Sequence, residues 1–239
     1  MSAPDTAMIL AAGLGTRMRP LTDNCPKPLL PINGRPMIEL ALDHAAGAGV
    51  RRAVVNLHYL GGMIRDHLAG RGAPEILFSE EQPVILDTGG GIVKALPLLG
   101  TGPFYTINSD AVWIGPNPLS ILAAAWASAR MPARMDVLLL LVPRERARGY
   151  TRQGDFFLSG EGATPVWRGE AEAAPMVYTG ALIVTPGVFD NAPRRPFPLW
   201  DALTAWDRVA AVTYPGGWVD VGTPAGLAEA EAALREGEG

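Results

Sequence analysis

AMILAAGLGTRMRPLTDNCPKPLLPINGRPMIEL, residues 7–40, decides the fold. Ala7 to Leu10 is a short apolar run that reads as a strand, and it runs directly into a glycine-rich turn. Gly13 and Gly15 permit a tight turn that exposes backbone N–H groups in a concave nest. Thr16 adds a hydroxyl and Arg17 a permanent charge. Such a loop is a cradle for an anion. No third glycine completes GxGxxG, and GxxxxGK[ST] is absent, so neither the dinucleotide fingerprint nor the Walker loop is present. Lys27 stands between Pro26 and Pro28, whose restricted backbones hold it in a defined, non-helical place. Taken singly, the glycines read as a structural turn and the lysine as a solvated one. Together with Arg17 they point to phosphate.

Outward from this stretch, short apolar runs alternate with segments of helical period. Met37, Leu40, Ala41, His44, Ala45 and Ala48 predict a helix ending near Gly47 or Gly49, followed by the strand AVVNL. A helix around Met63 to Leu68, a strand at EILFS, a helix from Gly91 to Leu99 and the strand FYTIN, ending on Asp110, continue the series. A helix near Leu119 to Ala129 and the strand DVLLLLV come next. Shorter runs (DFFLS, TPVWR, MVYTGALIV) then predict antiparallel or mixed strands. The last stretch reads as a strand, a tight turn, a second short strand and a helix beginning at Pro224. The expected architecture is α/β: a doubly wound, mainly parallel, Rossmann-like sheet, with mixed strands and a small lid region in the second half. No linker or internal repeat interrupts it, so one domain spanning 1–239 is expected.

Composition narrows the classes of function. The chain has 239 residues, 48% of them hydrophobic, enough to bury an ordinary core. A net charge of −4 argues against a nucleic-acid groove or an anionic membrane as partner, because both require a basic excess. Cys25 is the sole cysteine, so neither an internal disulfide nor a cysteine metal cage is available. The N-terminus has no basic segment followed by a long apolar one, and a cytoplasmic monomer or small homo-oligomer is expected. His44, His58 and His67 lack paired metal spacing and read as packing or surface residues. Trp126, Trp200 and Trp206 read as core, whereas Trp113, just after Asp110, is a candidate pocket wall.

LAAGLGTRMRPLTDNCPKPLLPINGRPMIE resembles the signature of the sugar-1-phosphate nucleotidyltransferases, also called nucleoside-diphosphate-sugar pyrophosphorylases. The likeness resumes at DTGGGIVKALPLLG, INSDAVW and GGWVDVGTPAGLAEAE, and so runs from Ala7 to the last helix. The resemblance implies an enzyme that joins a nucleoside triphosphate to a sugar 1-phosphate and releases pyrophosphate. It implies Arg17 and Lys27 as catalytic residues, and Asp110 and Asp220, both at apolar strand ends, as ligands of Mg²⁺. Without the resemblance, Asp110 would read as a turn or cap residue and Asp220 as half of a buried ion pair.

Nucleotide contacts are expected from Ala11, Ala12, Gly13, Gly15, Thr16, Gly90 and one of Glu81 or Gln82. Sugar contacts are expected from Asn108, Asp155, Thr179 and Gly180. The chain departs from many relatives in lacking an EKP-type lysine for the sugar phosphate, with Arg148 and Arg152 as candidate substitutes. A narrower likeness, carried by the triple glycine 89–91, by QGDF around Asp155 and by WVDVGT, favours UTP and N-acetylmuramic acid 1-phosphate. Mannose or glucose 1-phosphate, or phosphocholine with CTP, remain alternatives. So does a silent module that binds nucleotide sugars, although the intact charged residues speak against it.

Overall fold

The structure, a computed structural model, describes residues 2–128, 135–159, 164–193, 195–203 and 206–237. Strand β1 (Thr6–Leu10) is the centre of the parallel half of the sheet. A two-strand ribbon, β2 (Pro31–Ile32) with β3 (Arg35–Pro36), follows the phosphate loop and leads into α1 (Met37–Gly47). Then come β4 (Arg52–Leu57), α2 (Gly61–Leu68), β5 (Glu75–Glu80), α3 (Asp87–Leu99) and β6 (Phe104–Asn108). β1 pairs in parallel with both β4 and β6, with Ile9 opposite Val55 and Ile107, and β4 pairs in parallel with β5.

Alternation along these strands divides the core in two. Ala7 and Ile9 of β1 point to a cluster with Ile38, Leu42, Ile64 and Trp126. Met8 points to the opposite cluster with Ile92, Ala95 and Leu99 of α3. With helices on both faces, the strands read as unbroken apolar runs rather than alternating ones.

β7 (Ala111–Ile114), α4 (Pro118–Ala127), β8 (Val137–Pro143) and β9 (Ala147–Arg148) follow, then β10 (Phe156–Ser159), β11 (Thr164–Trp167) and β12 (Met176–Val184). As the shorter runs predict, the later pairings are mixed: β12 pairs antiparallel with β6, β8 and β10, and β10 with β11, while β8 and β9 also take parallel partners. The chain ends with β13 (Val209–Thr213), β14 (Gly217–Asp220) and α5 (Pro224–Gly237). No described helix is long and apolar enough to cross a membrane.

Three expectations are corrected. α3 begins at Asp87 rather than Gly91, because tertiary contacts override the poor helix propensity of Gly89 to Gly91, all buried. The strand β7 is absent from the sequence reading. It forms a small separate sheet with β14 and β9, while β13 pairs in parallel with β8 in the main sheet, so the two late strands are not a hairpin. Trp113 lies on β7 and is only 4% exposed, packed edge-on against His44, so it is core and not a pocket wall. Trp126 is core as expected and Trp200 packs in an aromatic cluster with Phe156, Trp167 and Tyr178. Ala129 and the side chain of Trp206 lie outside the described residues.

Candidate active site

The loop after β1 folds back onto the lysine segment. Gly15 takes a left-handed backbone (φ +63), and a Cβ there would lie 3.0 Å from Thr22 Cγ2 and 3.1 Å from Lys27 Cβ. Thr22 Oγ1 donates to the Gly15 carbonyl at 2.8 Å, and Met18 N–H donates to the same oxygen at 2.9 Å. Met18 is buried beneath the turn with Met37, Val219, Val221 and Ala230, which ties the loop to β14 and α5. Pinned in this way, the turn leaves Thr16 and Arg17 exposed. Gly13 has nothing within 4 Å of its missing side chain, so open access to its backbone is what it contributes.

Lys27 is 8% exposed, and its Nζ lies 2.5 Å from Asp110 Oδ2. Asp220 is brought beside Asp110 by the pairing of β7 with β14, which sets Asp220 opposite Ala111, and by Val221 N–H donating to the Asp110 carbonyl at 3.1 Å. Burial, followed by the negative charge of Asp110, pushes the Asp220 carboxyl above the usual carboxylate range, while Lys27, Arg17 and Arg152 pull it partly back. The Arg17 guanidinium lies against Gly222, where a Cβ would sit 3.0 Å from Nη1. Gly149 and Gly226 let two further segments approach the Asp220 carbonyl, since Cβ atoms there would lie 2.5 and 2.4 Å from it. Arg17, Lys27, Asp110 and Asp220, scattered over the chain, therefore converge.

Next to them is a cavity of about 200 Å³ lined by Ala12, Gly13, Asn56, Thr88, Asn108 and Asp110, among others. It opens at the carboxyl ends of β1 and β6, where open α/β sheets bind ligands. Gly180 (φ +84) has no room for a Cβ, which would lie 2.8 Å from the Asn108 side chain, so Asn108 rests on it at the cavity edge. Asp87 also faces the cavity; its backbone is left-handed (φ +62), and its carboxylate accepts from the N–H and Oγ1 of Thr88 at 2.6 and 3.0 Å. A second cavity, about 140 Å³ around Asp136 and Arg208, sits at the starts of β8 and β13 and holds none of these residues.

Several expected contacts have their polar groups committed inside the protein. Glu81 is 0% exposed, its carboxylate accepting from Asn56 Nδ2 and Leu86 N–H, both at 2.7 Å, whereas Gln82 is exposed. Ala11 N–H is taken by Asn56 Oδ1 at 2.7 Å. The N–H groups of Gly89 and Gly90 are capped by the Phe197 carbonyl at 3.0 and 3.3 Å. Thr179 is fully buried, its hydroxyl donating to the Leu140 carbonyl at 2.9 Å. Asp155 accepts from Tyr150 Oη at 3.1 Å and from Tyr178 N–H at 3.0 Å, joining the segment before β10 to β12. Arg148 pairs with Glu229 and Glu236 of α5, which leaves Arg152, exposed and stacked over Tyr150 at 5.1 Å, as the arginine whose charge reaches Asp220.

Asn56, Asp87 and Thr88 are site residues that the sequence reading misses. A signal for Asn56 does exist: a polar residue near the carboxyl end of an apolar parallel strand needs a partner, and ligands bind at that end.

The model for the nucleotidyl transferase family matches residues 6–151. An N-acetylmuramate alpha-1-phosphate uridylyltransferase of Caulobacter vibrioides is 43% identical over 98% of this chain and 98% of its own. An enzyme of the same name from Neisseria meningitidis serogroup B is 35% identical over 95% of this chain and 96% of its own. Among solved structures, a UDP-glucose pyrophosphorylase complexed with UDP-glucose superposes with a TM-score of 0.76 at 20% identity, covering 99% of each chain, which bears on the fold alone.

Proposed function

The chain belongs to the nucleotidyl transferase family, and from that premise we propose that it makes a nucleotide sugar from UTP and N-acetylmuramate α-1-phosphate, releasing pyrophosphate. The observation that carries the reaction type is the ion pair of Lys27 with Asp110 at 2.5 Å beside Asp220, next to the glycine loop and its cavity. The names of the two relatives, which match nearly end to end, favour the uridine base and the muramyl sugar. A muramyl nucleotide is a cell-wall precursor, so the reaction would return recovered wall sugar to synthesis in the cytoplasm.

The chemistry is one in-line displacement. A phosphate oxygen of the sugar 1-phosphate attacks the α-phosphorus, and the bond from that phosphorus to the α,β-bridging oxygen breaks, the oxygen leaving with its electron pair as part of pyrophosphate. No covalent intermediate on the enzyme is needed. Catalysis of this kind is positioning plus charge neutralisation. Gly13 offers open backbone to the triphosphate, and Arg17, on the exposed turn, meets the charge that grows on the leaving group. Lys27, freed from Asp110 as substrate arrives, bridges the α-phosphate and the attacking phosphate. Arg152 stands in for the missing lysine on the sugar phosphate.

The donor set suits Mg²⁺. Among the described residues no group of three or more His, Cys, Asp or Glu side chains gathers as a metal cage. Mg²⁺, however, needs only one or two carboxylates, with water and substrate phosphate completing its shell. Asp110 and Asp220 would hold it, and a bound cation would offset both the burial and the Asp110 charge that raise Asp220. When bound, it would neutralise phosphate charge and align the two reacting phosphates.

The test is pyrophosphate release with Mg²⁺ from a matrix of the four common nucleoside triphosphates against several sugar 1-phosphates. UTP with N-acetylmuramate α-1-phosphate should be the best pair. A better rate with mannose 1-phosphate and GTP would change the substrate assignment, and no release from any pair would remove the catalytic reading.

A further inference from the structure

Glu81 is the most completely bonded carboxylate near the cavity. Its N–H donates to the Leu57 carbonyl at 2.8 Å, and its own carbonyl lies 2.6 Å from His58 Nδ1, which must carry the proton to bond it. One carboxylate oxygen accepts from Leu86 N–H, in the turn that begins α3, and the other from Asn56 Nδ2. Asn56 in turn offers Oδ1 to Ala11 N–H, the first peptide of the phosphate loop. The chain of bonds therefore runs Ala11, Asn56, Glu81, Leu86, each link 2.7 Å long.

Ala12 and Gly13 form one wall of the cavity, and Ile85, Asp87 and Thr88 the other. The two walls are far apart in sequence and follow β1 and β5, which both pair with β4 but not with each other. Gly91 is shaped to the same bond, since a Cβ there would lie 2.5 Å from Glu81 Oε1 and 3.1 Å from Asn56 Nδ2. A buried carboxylate is costly unless its lone pairs are satisfied, and here each partner has its polarity imposed by a backbone N–H at the far end.

We infer that Asn56 and Glu81 are positioning residues, a buried strap that sets the width of the nucleotide cleft by tying the phosphate loop to the start of α3. The inference rests on the nucleotidyl-transfer reading of this cavity. Among the described residues no hydrogen bond or ion pair joins the strap to Lys27 or Asp110, so its loss should weaken nucleotide binding while leaving the reacting centre in place.

The polarity of the chain allows a specific exchange. Asn56→Asp alone sets two carboxylates face to face. Glu81→Gln alone turns an amide donor against another donor. In the double variant, the carboxylate introduced at position 56 accepts from Ala11 N–H and from the amide introduced at position 81. The carbonyl oxygen of that same amide accepts from Leu86 N–H. Every bond returns and the net charge is unchanged. Steady-state kinetics with UTP and N-acetylmuramate α-1-phosphate, and calorimetric UTP binding, are measured on the wild type, both single variants and the double variant.

Each single variant should raise the KM and Kd for UTP about tenfold, with kcat within about threefold of wild type, and the double variant should recover to within about threefold. Folded single variants with unchanged UTP affinity overturn the strap, as does a double variant no better than the singles. Where a single variant does not fold, the double decides: wild-type UTP affinity supports the strap, and weak binding or failure to fold overturns it. A wild type that binds UTP without turning over would remove the catalytic reading alone. Normal turnover with unaffected single variants would remove the strap alone.

Discussion

Burial and the adjacent Asp110 carboxylate raise the Asp220 pKa, so the native state holds that proton more tightly than the unfolded chain does. Stability therefore falls as pH rises from the usual carboxylate range through the raised value, and above that window the ionised form remains a cost. Asp220→Asn should raise the thermal midpoint of the ligand-free protein at neutral pH and flatten this acid-side dependence, while turnover collapses. A lower midpoint across the range would show that Lys27, Arg17 and Arg152 outweigh the repulsion. Lys27→Ala should lower kcat about a hundredfold or more, the scale of losing one well-placed charge donor, with the circular dichroism spectrum unchanged. At this scale the sequence is readable where chemistry constrains the backbone as well as the side chain. Lys27 lies between two prolines and Asp110 just past a strand end, and the structure joins them. Thr179, Asp155 and Gly90 fall in motif-like segments, but their polar groups serve Leu140, Tyr178 and Phe197, partners that no local pattern announces.

The element with the least expected beginning is α3, whose first turns carry three consecutive glycines. Each has a packing reason. At Gly89 a Cβ would lie 2.3 Å from Phe197 Cε2, and Phe197 is buried. Inside a helix, glycine to alanine normally stabilises by up to about 1 kcal/mol. Gly89→Ala should do the reverse and destabilise by about 1–3 kcal/mol in urea denaturation, because the ring cannot give way without losing its seat. Gly62→Ala, in α2 with nothing within 4 Å, is the control and should stabilise by about 0.4–1 kcal/mol. Equal and stabilising effects at both positions would contradict the packing account. Helix periodicity does not place this start, since glycine carries no hydrophobic signal and the residue it accommodates is more than a hundred positions away. The strand β7 escapes for a similar reason: four residues after a turn look like the tail of β6 until β14 is available to pair with them.

Across the whole molecule, the nine-residue strand β12 joins the parallel half to the later strands by pairing with β6, β8 and β10. Both halves of the chain then contribute to one sheet and to one site, with Lys27 and Asp110 from the first half and Asp220 from the second. We propose that residues 1–239 unfold as one domain. Far-ultraviolet circular dichroism and tryptophan fluorescence should follow a single coincident transition, because the tryptophans sit in both halves, Trp113 in the first and Trp126, Trp167 and Trp218 in the second. Two separated transitions would divide the chain. The alternation of apolar runs gives this architecture in outline; the exchange of β14 into a second sheet, which carries Asp220 to Asp110, depends on contacts between distant segments. The central claim is the transfer itself, and it is tested most directly by incubating the purified protein with UTP, N-acetylmuramate α-1-phosphate and Mg²⁺ and identifying the products by mass spectrometry. The account predicts UDP-N-acetylmuramate and pyrophosphate in equal amounts, both lost with Lys27→Ala. Release of neither by the wild type, or their undiminished release by the Lys27→Ala protein, would contradict it.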